Sequence, residues 1–263
     1  MPYRIARYGW VRDLPDQRDH LYAAPPATLT SLPPKTDLRP QSAPVYDQGQ
    51  IGSCTANAIA GAHEFVQIKS KLAAPSPFTP SRLFIYYNER ALEGTVSSDS
   101  GAQIRDGIKS IAHQGVCRED PTWPYDGDPF PPNSKLAQKP PPAAYTEAAK
   151  YTAVQYQRVP QVLAQLKGCL ASGYPFVFGF TVYDSFESQP VAQTGVVPMP
   201  QPSEQVLGGH AVLAVGYDDG QQRFIVRNSW GSSWGMQGYC TMPYLYLTDS
   251  SLASDFWTVR LVK

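Results

Sequence analysis

The stretch Gln48-Gly49-Gln50-Ile51-Gly52-Ser53-Cys54 runs directly into the first strong helical signal of the chain. Beyond Cys54, the residues Ala58, Ile59, Ala62, Phe65 and Val66 fall on one helical stripe as far as about Leu72, and Pro75 and Pro77 forbid its continuation. A cysteine opening a helix meets unpaired N–H groups and a positive partial charge, and both favour thiolate over thiol. The glycines before it let a substrate backbone approach closely. Read alone, Cys54 is equally well a small buried hydrophobe. A base and a group to orient that base must decide the matter.

Four histidines are available. His20, His63 and His113 read as surface residues. His210 follows Gly208-Gly209 and opens the apolar run Ala211-Val212-Leu213-Ala214-Val215, a placement that faces a cleft. An imidazolium there would depress the thiol pKa and later protonate a leaving amine. Asn228 ends the strand Arg223 to Arg227, which pairs back on the His210 strand through the turn signal Asp218-Asp219-Gly220. Its side-chain oxygen can accept from the imidazole and fix one tautomer, with Trp230 shielding that bond from water.

Outward from this core, Thr79 and Pro80 suit the start of a second helix carrying Leu83, Tyr86, Tyr87 and Arg90. A third helix runs through Ile104, Ile108 and Ile111 and stops at Gly115. A long proline-rich connection from Pro121 to Pro142 follows, and then a helix with Leu163, Leu166 and Leu170. The period then changes to two at Phe176, Phe178, Phe180 and Val182, and Gly238–Tyr244 and Phe256–Val262 complete a strand-rich half. Helices first and strands later predict an α+β fold with a cleft between the halves.

The chain has 263 residues, of which 42% are apolar and 17% charged. Prolines number 26, about twice the usual ~5%. Lys plus Arg equals Asp plus Glu at 22 each, which argues against a nucleic-acid binder. No apolar run is long enough to cross a membrane, and the start shows no secretory signal, so a cytoplasmic location is the default expectation. No cofactor motif or metal-ligand spacing is present. Cys117 and Cys169 are a candidate bridge, and Cys240 reads as core.

These residues together resemble the papain-like cysteine peptidases, with bacterial-type members the nearest in character. Gln48-Gly49-x-x-Gly52-Ser53-Cys54 matches the nucleophile motif and Gly209-His210-Ala211-Val212 the histidine motif. Asn228-Ser229-Trp230-Gly231-x-x-Trp234-Gly235-x-x-Gly238-Tyr239 matches the asparagine motif over its length. Ser100-Gly101-Ala102 resembles the glycine segment of the substrate cleft, and Trp123-Pro124-Tyr125 the aromatic stretch after it. The resemblance implies a helical half and a β-barrel-like half over residues 36–263. It implies a cysteine endopeptidase working through an acyl-thioester on peptide or protein substrates, as a monomer. It assigns Cys54 as nucleophile, His210 as general acid/base, Asn228 as its orienting partner and Gln48 as oxyanion donor. Gly101, Ala102, Gly209 and Trp230 would line the substrate site. The departures are Ile51, where the family usually has a disulfide cysteine, Thr55 in place of an aromatic, and Ala102 in place of a second glycine. A catalytically silent binding protein and a peptide ligase are the alternatives that share these residues.

Residues 1–35 precede the resemblance and read as a strap or short propeptide-like segment, as in a zymogen. They either pack away from the site or restrict access to it. In the second case Arg12 to Tyr22 would lie extended in the groove.

Overall fold

The computed structural model describes residues 8–71, 77–128 and 135–263. In chain order the elements are β1 Trp10–Val11, α1 Pro26–Thr30, β2 Lys35–Asp37, α2 Cys54–Ser70, α3 Arg82–Glu93, β3 Ala102–Gln103, α4 Ile104–His113, α5 Pro142–Ala148, β4 Ala153–Arg158, α6 Leu163–Ala171, β5 Phe176–Tyr183, α7 Gln189–Thr194, β6 Val206–Asp218, β7 Arg223–Arg227, β8 Tyr239–Pro243, α8 Tyr244–Thr248 and β9 Ala253–Val262.

Helix α2 is the axis of the molecule. The expected single stripe understates it, because every residue from Cys54 to Gln67 is buried. A helix enclosed on all sides lies inside a core, and α2 packs on α3 and α4 on one side and on β6 and β9 on the other. Its small residues Ala56, Ala60, Gly61 and Ala62 permit that close approach. His63 is therefore fully buried, contrary to the surface reading, with Nδ1 3.0 Å from Gln67 Nε2. Burial pushes its pKa down to about 3. Helix α3 also starts later than expected. Ser81, not Thr79, caps it by accepting from Phe84 N, while Pro80 bridges to Arg118.

The strand-rich half is one seven-stranded sheet in the order β4-β9-β5-β6-β7-β8, with β2 added on β6. It does not close into a barrel. Strands β4 and β8 end the path unpaired with each other, because α2 and α4 cover the sheet and complete its core. The α+β class holds. Phe176, Phe178 and Phe180 on β5 are all buried, and Phe178 stacks on Phe256 at 5.6 Å. Each such side chain stabilises the fold by about 1.5–3 kcal/mol. All four cysteines are free and buried, so Cys117 and Cys169 form no bridge.

Strands β5 and β6 place Phe180 opposite His210, and β6 and β7 place Leu213 opposite Arg227. His210 thus lies within β6 rather than at its mouth, and Asn228 follows the last residue of β7. The hairpin brings the two side chains together on the side of the sheet that faces the start of α2.

Candidate active site

Cys54 is the first residue of α2 and is fully buried. The loop before it is tied down in several ways. Gln48 is fully buried, and its N–H donates to Ser229 O at 2.9 Å. Its side chain donates through Nε2 to Ile51 O at 3.0 Å and accepts from Ser229 Oγ at 2.7 Å. Gly49 adopts φ +63, a left-handed turn that favours glycine. Ser53 Oγ lies 2.6 Å from the Tyr125 hydroxyl, which donates to Gln48 O at 2.8 Å. The Trp123-Pro124-Tyr125 stretch thus braces the nucleophile loop.

A further brace was not read from the sequence. Gly52 N–H donates to both oxygens of Asp99 at 3.0 Å. The Tyr86 hydroxyl donates to Asp99 Oδ1, and Gly101 N–H donates to that hydroxyl at 3.1 Å. Where the family pattern has a disulfide cysteine, buried Ile51 stands beside a carboxylate clamp that joins the nucleophile loop to the cleft glycine. Charge-assisted bonds of this kind contribute about 1.5–3 kcal/mol each. Asp99→Ala is expected to lower kcat/KM by roughly 10- to 100-fold. Asp99→Asn, which keeps one acceptor oxygen, should recover part of the loss. Steady-state kinetics beside melting curves check this, and unchanged kinetics in Asp99→Ala would remove the clamp from catalysis.

Across the cleft, His210 Nε2 is 2.8 Å from Asn228 Oδ1. The same Oδ1 accepts from Ser229 N at 2.8 Å, which fixes the amide so that its oxygen faces the ring. Trp230 covers the pair with its ring centroid 5.0 Å from that of His210, and Trp234 and Phe186 enclose Trp230. Trp230 is therefore a shield over the His210–Asn228 bond and is 1% exposed. The Ala211 N–H, next to His210, acts on the Cys54 thiol and favours its charged form.

The N-terminal strap runs over this point. The backbone N–H of Gly9 likewise acts on the Cys54 thiol and favours its charged form. Gly9 O accepts from Ala102 N at 2.7 Å, and Trp10 pairs in parallel with Ala102. A side chain at Gly101 would collide with Gly9, and one at Gly209 would meet the Trp10 ring at 2.7 Å. The Tyr8 ring lies 6.0 Å from His210, and its hydroxyl donates to Glu187. Tyr8, Gly9 and Trp10, rather than Arg12–Tyr22, are thus the strap residues that pack against Gly101, Ala102, Gly209 and His210. That later stretch is held outside by ion pairs. Asp19 meets Arg105 at 2.6 Å and Arg158 at 3.1 Å, and buried Asp13 accepts from Trp257 Nε1 at 2.9 Å.

Burial dominates the titration of both groups. It pushes the Cys54 thiol up to about 12, against the opposing pull of the Ala211 and Gly9 N–H groups. It also pushes His210 down to about 4, although the Asn228 bond acts the other way. Each shift favours the neutral form of its group. Among the described residues, His210 Nδ1 has no hydrogen-bond partner and no cluster could hold a metal ion. Among the described residues no helix is long and apolar enough to cross a membrane.

A cysteine at a helix start, set against a histidine–asparagine pair on an adjoining sheet, defines the class of papain-like thiol peptidases. Residues 32–245 match the papain family cysteine protease description, and the chain belongs to that family. Xylellain, a cysteine protease from Xylella fastidiosa, superposes with a TM-score of 0.91 at 47% identity over 99% of both chains. An uncharacterized peptidase C1-like protein of Acanthamoeba polyphaga mimivirus is 46% identical over 97% of this chain and 87% of its own. Chicken cathepsin K is 30% identical over 74% of this chain, which spans 54% of the cathepsin's length. The protein is a cysteine-type peptidase, a hydrolase of peptide bonds.

Proposed function

We propose that Cys54 is the nucleophile of an endopeptidase whose general acid/base is His210, oriented by Asn228. The observation that carries this reading is the 2.8 Å bond between His210 Nε2 and Asn228 Oδ1, with Cys54 buried at the start of the helix that packs on the His210 strand. With Nε2 held by Asn228, Nδ1 is the nitrogen left to exchange a proton with the thiol. The thiolate attacks the peptide carbonyl and forms a C–S bond. The amine leaves with a proton from His210, and a thioester remains on Cys54. His210 then takes a proton from water, the hydroxide displaces Cys54, and the acid product departs. The Cys54 N–H and the second N–H of Gln48 Nε2 suit the oxyanion, and a donor there is worth ~2.7–4 kcal/mol. Gly101, Ala102 and Gly209 offer backbone to an extended peptide. Labelling with an epoxide-type thiol reagent, followed by peptide mapping, tests the assignment. Modification at Cys54 alone supports it, and loss of activity without Cys54 labelling overturns it.

Asn228→Ala should lower kcat by roughly 100-fold without abolishing it, since Asn228 orients the base and makes no bond to substrate. An unchanged kcat/KM would exclude Asn228 from the site.

We further infer that residues 1–35 act as a zymogen-like segment on a peptidase domain of residues 36–263, with residues 8–11 lying where substrate binds. The ladder from Trp10 to Ala102 and the action of the Gly9 N–H on the thiol support this reading.

A further inference from the structure

We propose that the Asp255 carboxylate makes the pocket beside Cys54 selective for a large flat side chain that carries an uncharged N–H donor, the indole of tryptophan above all. The inference rests on the reading that residues 8–11 lie in the substrate cleft. The strap is then the one ligand seen in that pocket, and its chemistry shows what the pocket accepts.

Gly9 O accepts from Ala102 N and Trp10 pairs in parallel with Ala102, so a substrate that runs opposite to the strap puts the residue preceding the cleaved one in the place of Trp10. Its ring lies against Gly179 and Gly209, and a side chain at either position would overlap it. The absence of a Cβ at Gly179 and at Gly209 is what makes room for the ring. Gly179 pairs with Ser254 on β9, which places the next residue, Asp255, at the floor. Trp10 Nε1 donates to Asp255 Oδ2 at 3.1 Å, and Asp13 N–H donates to the same oxygen at 2.8 Å. Asp255 is 2% exposed. When the strap leaves, Oδ2 loses both donors inside a narrow pocket. A phenylalanine or leucine side chain would fill the space and leave that oxygen without a partner, which disfavours it.

Charge separates indole from guanidinium. Arg158 Nη2 already pairs with Asp255 Oδ1 at 3.1 Å. The carboxylate is thus matched by one cation, and a substrate arginine would add a second positive charge beside Arg158. The other charged groups facing this cluster are Asp13 and Asp19 of the strap and Arg105 of α4. Indole supplies the donor without the charge.

The test uses peptidyl-aminocoumarin substrates that differ only in the residue preceding the cleaved one. They carry tryptophan, its sulfur isostere 3-benzothienylalanine, phenylalanine or arginine. The full-length chain and its Trp10→Ala variant are both assayed. The ratio of kcat/KM for two substrates on one enzyme cancels the fraction of molecules whose cleft is covered. A failure of the strap reading would change absolute rates, whereas a failure of the pocket reading would change the ratios. Tryptophan is expected to exceed benzothienylalanine and phenylalanine by about tenfold or more, and Asp255→Ala should bring those ratios near one. Equal rates for tryptophan and its sulfur isostere overturn the proposal even if Asp255→Ala does not fold. An arginine substrate faster than tryptophan overturns the preference for an uncharged donor.

Discussion

Cys54→Ala and Cys54→Ser are expected to lose about 10⁴-fold or more in kcat/KM while the fold survives. The reaction needs a bond from sulfur to the substrate carbon, and Ala has nothing to form it. Serine keeps an atom in place, but its hydroxyl is far harder to ionise than a thiol, and His210 is a weak base while buried. The fold should tolerate both changes. Cys54 is fully buried, and removing one sulfur costs on the order of 1 kcal/mol. A serine hydroxyl would accept from the same Ala211 and Gly9 N–H groups that now act on the thiol, so it is not orphaned. Peptide hydrolysis assays beside thermal melts check both halves. Residual turnover near the wild-type rate would remove Cys54 from the chemistry.

Much of this site was legible because its parts lie in local signals. Cys54 opens a helix marked by its own stripe and by the glycines before it. His210 lies on β6 and Asn228 directly follows β7, two strands joined by a short turn, so the hairpin draws them near each other, and the bond between them is 2.8 Å. The open sheet was not legible. Closure depends on whether β4 meets β8, and the helices α2 and α4 that cover the sheet decide it. The burial of His63 escaped for a related reason. The apolar stripe of α2 marks one face, while Glu64, Gln67 and His63 on the other face are buried through bonds to Tyr46, to Phe78 and to one another, which no stripe reveals. The Asp99 clamp joins residues 52, 86, 99 and 101, none of which forms a local pattern with the others. Gly179 sits inside a strand of phenylalanines and looks like a weak spot there. Its role emerges only when Trp10 lies against it.

Trp10→Ala in the full-length chain is expected to raise kcat/KM for a small peptide substrate by about tenfold or more, on the reading that residues 8–11 cover the cleft. Burying a tryptophan fully is worth about 3–5 kcal/mol by truncation, and Trp10 is half-buried with one bond to Asp255. A loss of even ~1.4 kcal/mol of docking shifts the open fraction tenfold. Tethering gives the strap an effective concentration on the order of mM. A weak contact therefore suffices to hold it, and a modest loss suffices to free it. The charge state supplies an independent readout. In the covered state burial pushes the thiol up to about 12 and the imidazole down to about 4, each toward its neutral form. Water entering the open cleft lowers the thiol pKa and raises that of the imidazole, which lets the proton pass from sulfur to nitrogen. Alkylation of Cys54 by iodoacetamide at pH 7 should accordingly be slow in the wild-type chain and faster in Trp10→Ala. Its rate in the variant should reach a plateau well below the ordinary thiol range. A chain beginning near Leu32 should behave like the variant if it folds. Equal kcat/KM and equal alkylation rates for well-folded wild-type and Trp10→Ala proteins would refute occlusion and leave the strap as a brace, anchored through Asp13 and Asp19 to Trp257, Arg105 and Arg158.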